Sequence, residues 1–107
     1  MPAITELLES LKSDLAKYIK EEVGHLPEKV ASGITKAVEQ NKEDLARWLQ
    51  QYAEGKISKG DLESLIRGAR GLGEMEALKQ IGLAEARLDE IQSGIIRIVL
   101  KNLTDRL

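Results

Sequence analysis

The last part of the chain carries an apolar surface too wide for an ordinary helix of a small domain. From Leu88 to Leu107 the apolar side chains recur at three- and four-residue spacing, and at about 100° per residue they cover an arc of roughly 200°. The apolar stripe of a surface helix is a little over ~100° wide. Such a helix must pack between at least two neighbours, and we expect one of them to come from a second copy of the chain.

The composition fits an all-α domain with an aliphatic core. The chain has 107 residues, with one Trp, two Tyr and no Phe, and 42% of its residues are hydrophobic. That length corresponds to a single domain. We expect residues 1–107 to form one elongated helical bundle of about four helices, completed by self-association. The sequence predicts helices at residues 3–23, 27–53, 59–70 and 74–104.

Charge and residue usage argue against several functional classes. The net charge of −2 gives no electrostatic footprint for nucleic acid. The absence of Cys excludes disulfides, thiolate metal sites and thiol catalysis. No apolar run approaches the ~20 residues of a membrane span, and the first residues lack the pattern of a signal peptide. We therefore expect a cytoplasmic protein with no membrane span.

An asparagine interrupts the apolar face of the second predicted helix. Asn41 lies where the spacing calls for an apolar residue. In one interpretation it is an N-cap at a break in the helix, since Asn is a good N-cap and Asp44 follows three residues later. In the other it is a buried polar residue at a helix–helix seam, where Asn fixes register or oligomeric state. The sequence leaves both interpretations open.

The best-specified local structure is a capped αα-hairpin at about residues 49–72. Gly55 suits a helix C-terminus. Ser58 and Asp61 have the spacing of a capping box, and Ile57 and Leu62 occupy the two positions of a hydrophobic staple. The sequence therefore predicts a helix that begins at Lys59.

Three glycines, Gly68, Gly71 and Gly73, fall within six residues at the end of this helix. Because each interior Gly costs up to about 1 kcal/mol relative to Ala, the cluster favours a break or kink near Gly71–Gly73. The alternative is a continuous helix in which the glycines let another backbone come close. Beyond this point we expect a single helix over 74–104, in which Gly82 and Gly94 supply small surfaces for close helix contact.

The sequence offers little support for catalysis. Its single histidine, His25, is the only base around which a Ser–His pair could form, and the 18 carboxylates are spread over the predicted solvent faces. We therefore expect a non-enzymatic scaffold, adaptor or assembly module that acts through the C-terminal helix and needs no cofactor. Its expected partner is itself, as a dimer or tetramer, or another helical protein. The predicted interface residues are Trp48, Tyr52, Leu88, Ile91, Ile95, Ile98 and Val99.

A metal-binding bundle is the alternative function. Glu22 and His25 form a Glu-x-x-His motif, whose spacing puts both ligands on one helix face in di-iron carboxylate bundles. A symmetric oligomer would duplicate the single motif. Gly24 and Pro27, however, indicate that the helix ends at His25, and we assign no metal ligand.

Overall fold

Most of the residues that the structure describes lie in six helices. The computed structural model describes residues 4–69, 71–72 and 76–105. No strand occurs among these residues, so the all-α prediction is confirmed. The helices are α1 (Ile4–Val23), α2 (Glu28–Gln40), α3 (Lys42–Ala53), α4 (Lys59–Gly68), α5 (Glu76–Lys79) and α6 (Glu85–Thr104).

The first and last helices pack side by side in opposite directions. Near the start of α1, Ser10 donates a hydrogen bond of 2.7 Å to Asn102, near the end of α6. Near the end of α1, Glu22 accepts one of 2.6 Å from Arg87, near the start of α6. The two helices are therefore antiparallel, and their pairing joins the two ends of the chain.

One aromatic ring sets how closely these two helices approach. The ring of Tyr18 on α1 lies against the backbone of α6 at Gly94, and its hydroxyl donates to the Glu90 carbonyl oxygen at 3.5 Å. A Cβ at position 94 would overlap the phenol carbon and oxygen and would stand 2.8 Å from the ring's Cε2 atom. Only glycine fits here without displacing the ring.

The remaining helices complete one core around this pair. α2 packs on α1, α4 packs on α6, and α5 packs on α2, while α3 contacts α1, α2, α4 and α6. The fully buried side chains of Leu72 and Leu78 anchor the segment around α5. The principal extents are 41 × 24 × 20 Å, and the radius of gyration is 13.5 Å. A compact domain of this length has a radius near ~13 Å, so the bundle is less elongated than predicted.

The helix predicted over 27–53 is two helices that meet at Asn41. The Asn41 backbone has φ −102° and ψ 10°, and its side chain is 4% exposed. Its Nδ2 donates to the Ala37 carbonyl at 2.8 Å, which closes the end of α2, and no side-chain capping bond reaches α3. Asn41 therefore combines parts of both interpretations, because it lies at a helix break and is also buried. Its side chain, however, caps the C-terminal end of α2 and not the N-terminal end of α3.

The helix predicted over 74–104 is also interrupted. Gly82 has φ +77°, a left-handed conformation that ends the turn after α5, and α6 begins only at Glu85. A Cβ at Gly82 would meet nothing within 4 Å, so this glycine serves backbone conformation and not close packing. The break expected near Gly71 is present, because Gly71 has φ +81°; Gly73 lies outside the described residues.

The predicted capping box is present, and α4 begins at Lys59 as expected. The Ser58 hydroxyl accepts from the Asp61 backbone N–H at 3.0 Å, and the Asp61 carboxylate accepts from the Ser58 backbone N–H at 3.0 Å. Gly55 adopts φ +74° after α3. The hydrogen bonds from the Ser58 backbone and side chain lower the pKa of Asp61 below its ordinary value.

We predict that Gly94→Ala is about 1–3 kcal/mol less stable than a Gly→Ala change at an unpacked helical position, because forcing a group into a packed site has this cost and the gain in helix propensity is common to both changes. The new methyl group would push Tyr18 off α6. Gly68→Ala is the matched control, because Gly68 ends α4 and a Cβ there meets nothing within 4 Å. Urea unfolding measures both. A Gly94→Ala protein as stable as the control would contradict the packing of Tyr18.

We also predict that Asp61→Ala lowers the urea midpoint at neutral pH and that the difference disappears in acid. The folded-state pKa of Asp61 is lowered, so its stabilisation is present above the ordinary pKa near ~4 and is lost as the pH falls through the lowered value. Glu28→Ala is the control, since Glu28 lies in the first turn of α2, which has no side-chain cap. Equal effects of the two changes at all pH values would argue against the capping box.

Candidate interaction surface

The predicted interface residues fall into two groups. Four side chains are buried in the core of the single chain, and three are half-buried. The buried group is Trp48, Ile91, Ile95 and Val99, and the half-buried group is Tyr52, Leu88 and Ile98. Ile91, Ile95 and Val99 are 0% exposed, so they have no surface left to offer a partner.

The wide apolar face of the last helix is covered within the chain. The buried positions of α6 span an arc of about 240° at 100° per residue. They are Ile91, Gly94, Ile95, Ile96, Val99, Leu100, Asn102 and Leu103. α1, α3 and α4 all pack against this helix. Three neighbours from the same chain therefore supply the cover that the sequence analysis partly assigned to another copy.

The outer face of α6 is polar, and its charges are sorted along the axis. Five exposed side chains recur there at four-residue spacing, and we call them the α6 charge row. The α6 charge row consists of Glu85, Asp89, Ser93, Arg97 and Lys101. Two acidic residues thus precede a small central serine, and two basic residues follow it, over about 24 Å of helix.

The charges of this row have no ion-pair partner within the described part of the chain. A neighbouring charged side chain on the same helix, in contrast, is paired within the chain. Arg87, just outside the row, bonds the carboxylates of Glu22 at 2.6 Å and Glu90 at 2.9 Å, and these bonds raise the pKa of its guanidinium. The α6 charge row therefore presents both signs of charge to solvent without ion pairs, although the Arg97 guanidinium also donates a hydrogen bond to the Tyr18 hydroxyl within the chain.

One edge of this face carries the exposed parts of two larger side chains. Tyr18 and the half-buried Ile98 line a groove of about 650 Å³ between α1 and α6, which also includes Lys101. Burial raises the pKa of the Tyr18 hydroxyl, and the charge of Glu22 raises it further. The edge therefore adds some apolar area beside the charges.

A polar network forms the floor of the same groove. Asn102 is 8% exposed, and its Oδ1 accepts from the Ser10 hydroxyl at 2.7 Å. Its Nδ2 donates to the Asp14 carboxylate and to the Ile98 carbonyl, each at 3.0 Å. Because both amide hydrogens and the amide oxygen of Asn102 are bonded within the chain, the side chain holds α1 and α6 in register and is not aimed at a ligand.

A second groove lies between α3 and α4. It encloses about 500 Å³, and its apolar lining includes Trp48, Leu65 and Ala69. Leu65 is 36% exposed and is the one large hydrophobic side chain counted as exposed among the described residues. A single exposed leucine is ordinary on a soluble surface, so this groove gives weaker evidence of a partner than the α6 charge row.

The Glu-x-x-His motif does not form a ligand cluster in this structure. α1 ends at Val23, Glu22 is paired with Arg87, and His25 is exposed in the turn that follows. Within residues 4–69, 71–72 and 76–105, no three His, Asp or Glu side chains converge as a metal site would require. None of the described helices combines the length and apolarity of a membrane span.

Comparison with known proteins gives no family assignment: no protein family, curated protein or solved structure matches this chain.

Sequence reasoning missed the α6 charge row as a surface. The last helix was expected to begin at residue 74, so Glu85 and Asp89 were not recognised as the acidic residues of its first turns. The available signal was the four-residue spacing of these charges, which places neighbouring side chains on one side of a helix.

We predict that Ser10→Ala lowers the free energy of unfolding by about 1–3 kcal/mol, because the buried Oδ1 of Asn102 loses its donor. Ser13→Ala is the same chemical change at an exposed position of α1, where the better helix propensity of Ala leaves stability equal or slightly higher. Urea unfolding followed by far-UV circular dichroism compares them. Indistinguishable variants would remove the register role of this network.

Proposed function

We propose that this chain is a non-enzymatic helical assembly module that self-associates through the outer face of α6. The observation that carries the proposal is the sorting of exposed charge along the α6 charge row. The C-terminal helix keeps the role expected from the sequence, but the contact is made by its exposed polar side chains and not by its apolar ones.

The helix dipole explains only part of this charge order. Acidic residues in the first turn and basic residues in the last turn stabilise a helix, and the effect falls off within one turn. Glu85 and Lys101 lie in those terminal turns, but Asp89 and Arg97 lie further inside the helix. Arg97 also bonds the Tyr18 hydroxyl within the chain, but the helix dipole does not explain the position of Asp89, and a partner with complementary charge supplies a reason for it.

The proposed association is expected to be weak. Exposed ion pairs contribute little each and are screened by salt, and the face offers limited apolar area beside Ile98 and Tyr18. We therefore expect a dissociation constant of about 0.1–1 mM at low ionic strength, which corresponds to a weak complex. The protein is then a monomer when dilute and a dimer when locally concentrated.

The test is light scattering and sedimentation equilibrium at high protein concentration. At an ionic strength of about 0.01 M, where charges act over ~30 Å, we expect a dimer fraction that falls steeply as salt is raised to about 1 M. A chain that stays monomeric at millimolar concentration and low salt would exclude the proposal. A dimer that salt does not weaken would exclude this face as its origin.

We predict that Asp89→Arg reduces the dimer fraction at low salt several-fold, because it gives the row a third cation and removes an acceptor. Glu43→Arg is the matched control, since it changes the net charge equally at an exposed position of α3. Circular dichroism checks that both variants remain folded. An equal loss of dimer in the control would mean that net charge alone, and not this face, governs association.

A further inference from the structure

We infer that the partner of the α6 charge row is the same row of a second copy, paired antiparallel about a two-fold axis at Ser93. This inference rests on the proposed function and names the geometry of the contact. In this pairing, Asp89 of each copy lies next to Arg97 of the other.

The arrangement of the row is what selects this geometry. Asp89 and Arg97 are equidistant from Ser93, and so are Glu85 and Lys101. In an antiparallel pair centred on Ser93, each acidic residue of one copy therefore faces a basic residue of the other. A parallel pair would set Asp89 against Asp89 and Arg97 against Arg97, and like charges across an interface oppose binding.

A two-fold axis also accounts for the identity of the central residue. In an isologous contact the residue on the axis meets its own copy. Ser93 is uncharged and small, and it is exposed, so two helices can approach there without like-charge repulsion. The next residue, Gly94, adds no side chain and lets the Tyr18 ring lie beside the axis.

The inclination of the row predicts how the helices cross. Side chains at four-residue spacing form a ridge inclined to the helix axis, and packing such ridges from two helices gives a crossing angle of about 50°. Asp89 and Arg97 each lie about 6 Å along the helix from Ser93, whereas Glu85 and Lys101 lie about 12 Å away. The inner pair is therefore the closer contact, and the outer pair is reached by the longer side chains.

Engineered cysteines test the geometry directly, because the chain contains no Cys of its own. Ser93→Cys places two thiols at the axis, within the Cα separation that a disulfide accepts. Glu85→Cys is the control: antiparallel pairing keeps its two copies about 24 Å apart, whereas parallel pairing brings them together. Both variants are oxidised at low salt and high concentration, and linked dimer is measured over time.

We expect Ser93→Cys to form linked dimer at least about tenfold faster than Glu85→Cys, with the difference lost at high salt. Faster linkage of Glu85→Cys would show parallel pairing and overturn this inference while leaving the proposed function intact. Slow linkage of both in a sample that scatters as a dimer would place the contact elsewhere and overturn both. A sample that is monomeric by scattering would likewise overturn both.

A charge exchange gives an independent readout. Asp89→Arg alone weakens the dimer, and adding Arg97→Asp restores opposite charges across the antiparallel contact at the composition of the original chain. We expect the double variant to recover most of the dimer fraction that the single variant loses. Failure to recover, in a double variant that remains folded by circular dichroism, would overturn the Asp89–Arg97 pairing.

Discussion

The contact between the first and last helices determines the rest of this structure. Apolar packing is non-directional and would let two helices slide past each other, but α1 and α6 also meet at three specific points. Asn102 bridges Ser10 and Asp14, Tyr18 lies on Gly94, and Arg87 bonds Glu22. Together these contacts fix the rotation and the register of α6. They thereby decide which side of α6 is buried and which row of side chains remains outside.

The parts of the fold that depend on residues close to one another in the sequence were predictable. The end of α1 at Val23 and the start of α4 at Lys59 agree with the expected ones, because apolar periodicity and the Ser58–Asp61 capping box act within a few residues, whereas α4 ends two residues before the expected position. The number of neighbours around α6 was not predictable in this way. A wide apolar arc specifies that a helix is covered on several sides, but it carries no information on whether the cover comes from the same chain.

The roles of individual glycines and asparagines were also not predictable from the sequence, because each of these residues can serve two purposes. Gly82 and Gly94 are alike in sequence terms, yet Gly82 is needed for a positive φ and Gly94 for the approach of Tyr18. Asn41 and Asn102 both occupy apolar faces, but Asn41 closes the end of α2 while Asn102 links two helices. In each case the outcome depends on which distant element lies opposite, and that is set by tertiary packing.

The burial of the apolar face of α6 by helices of the same chain affects how copies can assemble. An interface built from Ile91, Ile95 and Val99 would have made folding depend on the partner, because these side chains would be exposed in a lone copy. With that face covered by α1, α3 and α4, the monomer already has its core, and the proposed contact is left to charged side chains. Such a contact is weak and reversible, so it responds to local concentration. Copies held near one another reach millimolar effective concentrations, which is the range in which this surface is expected to pair.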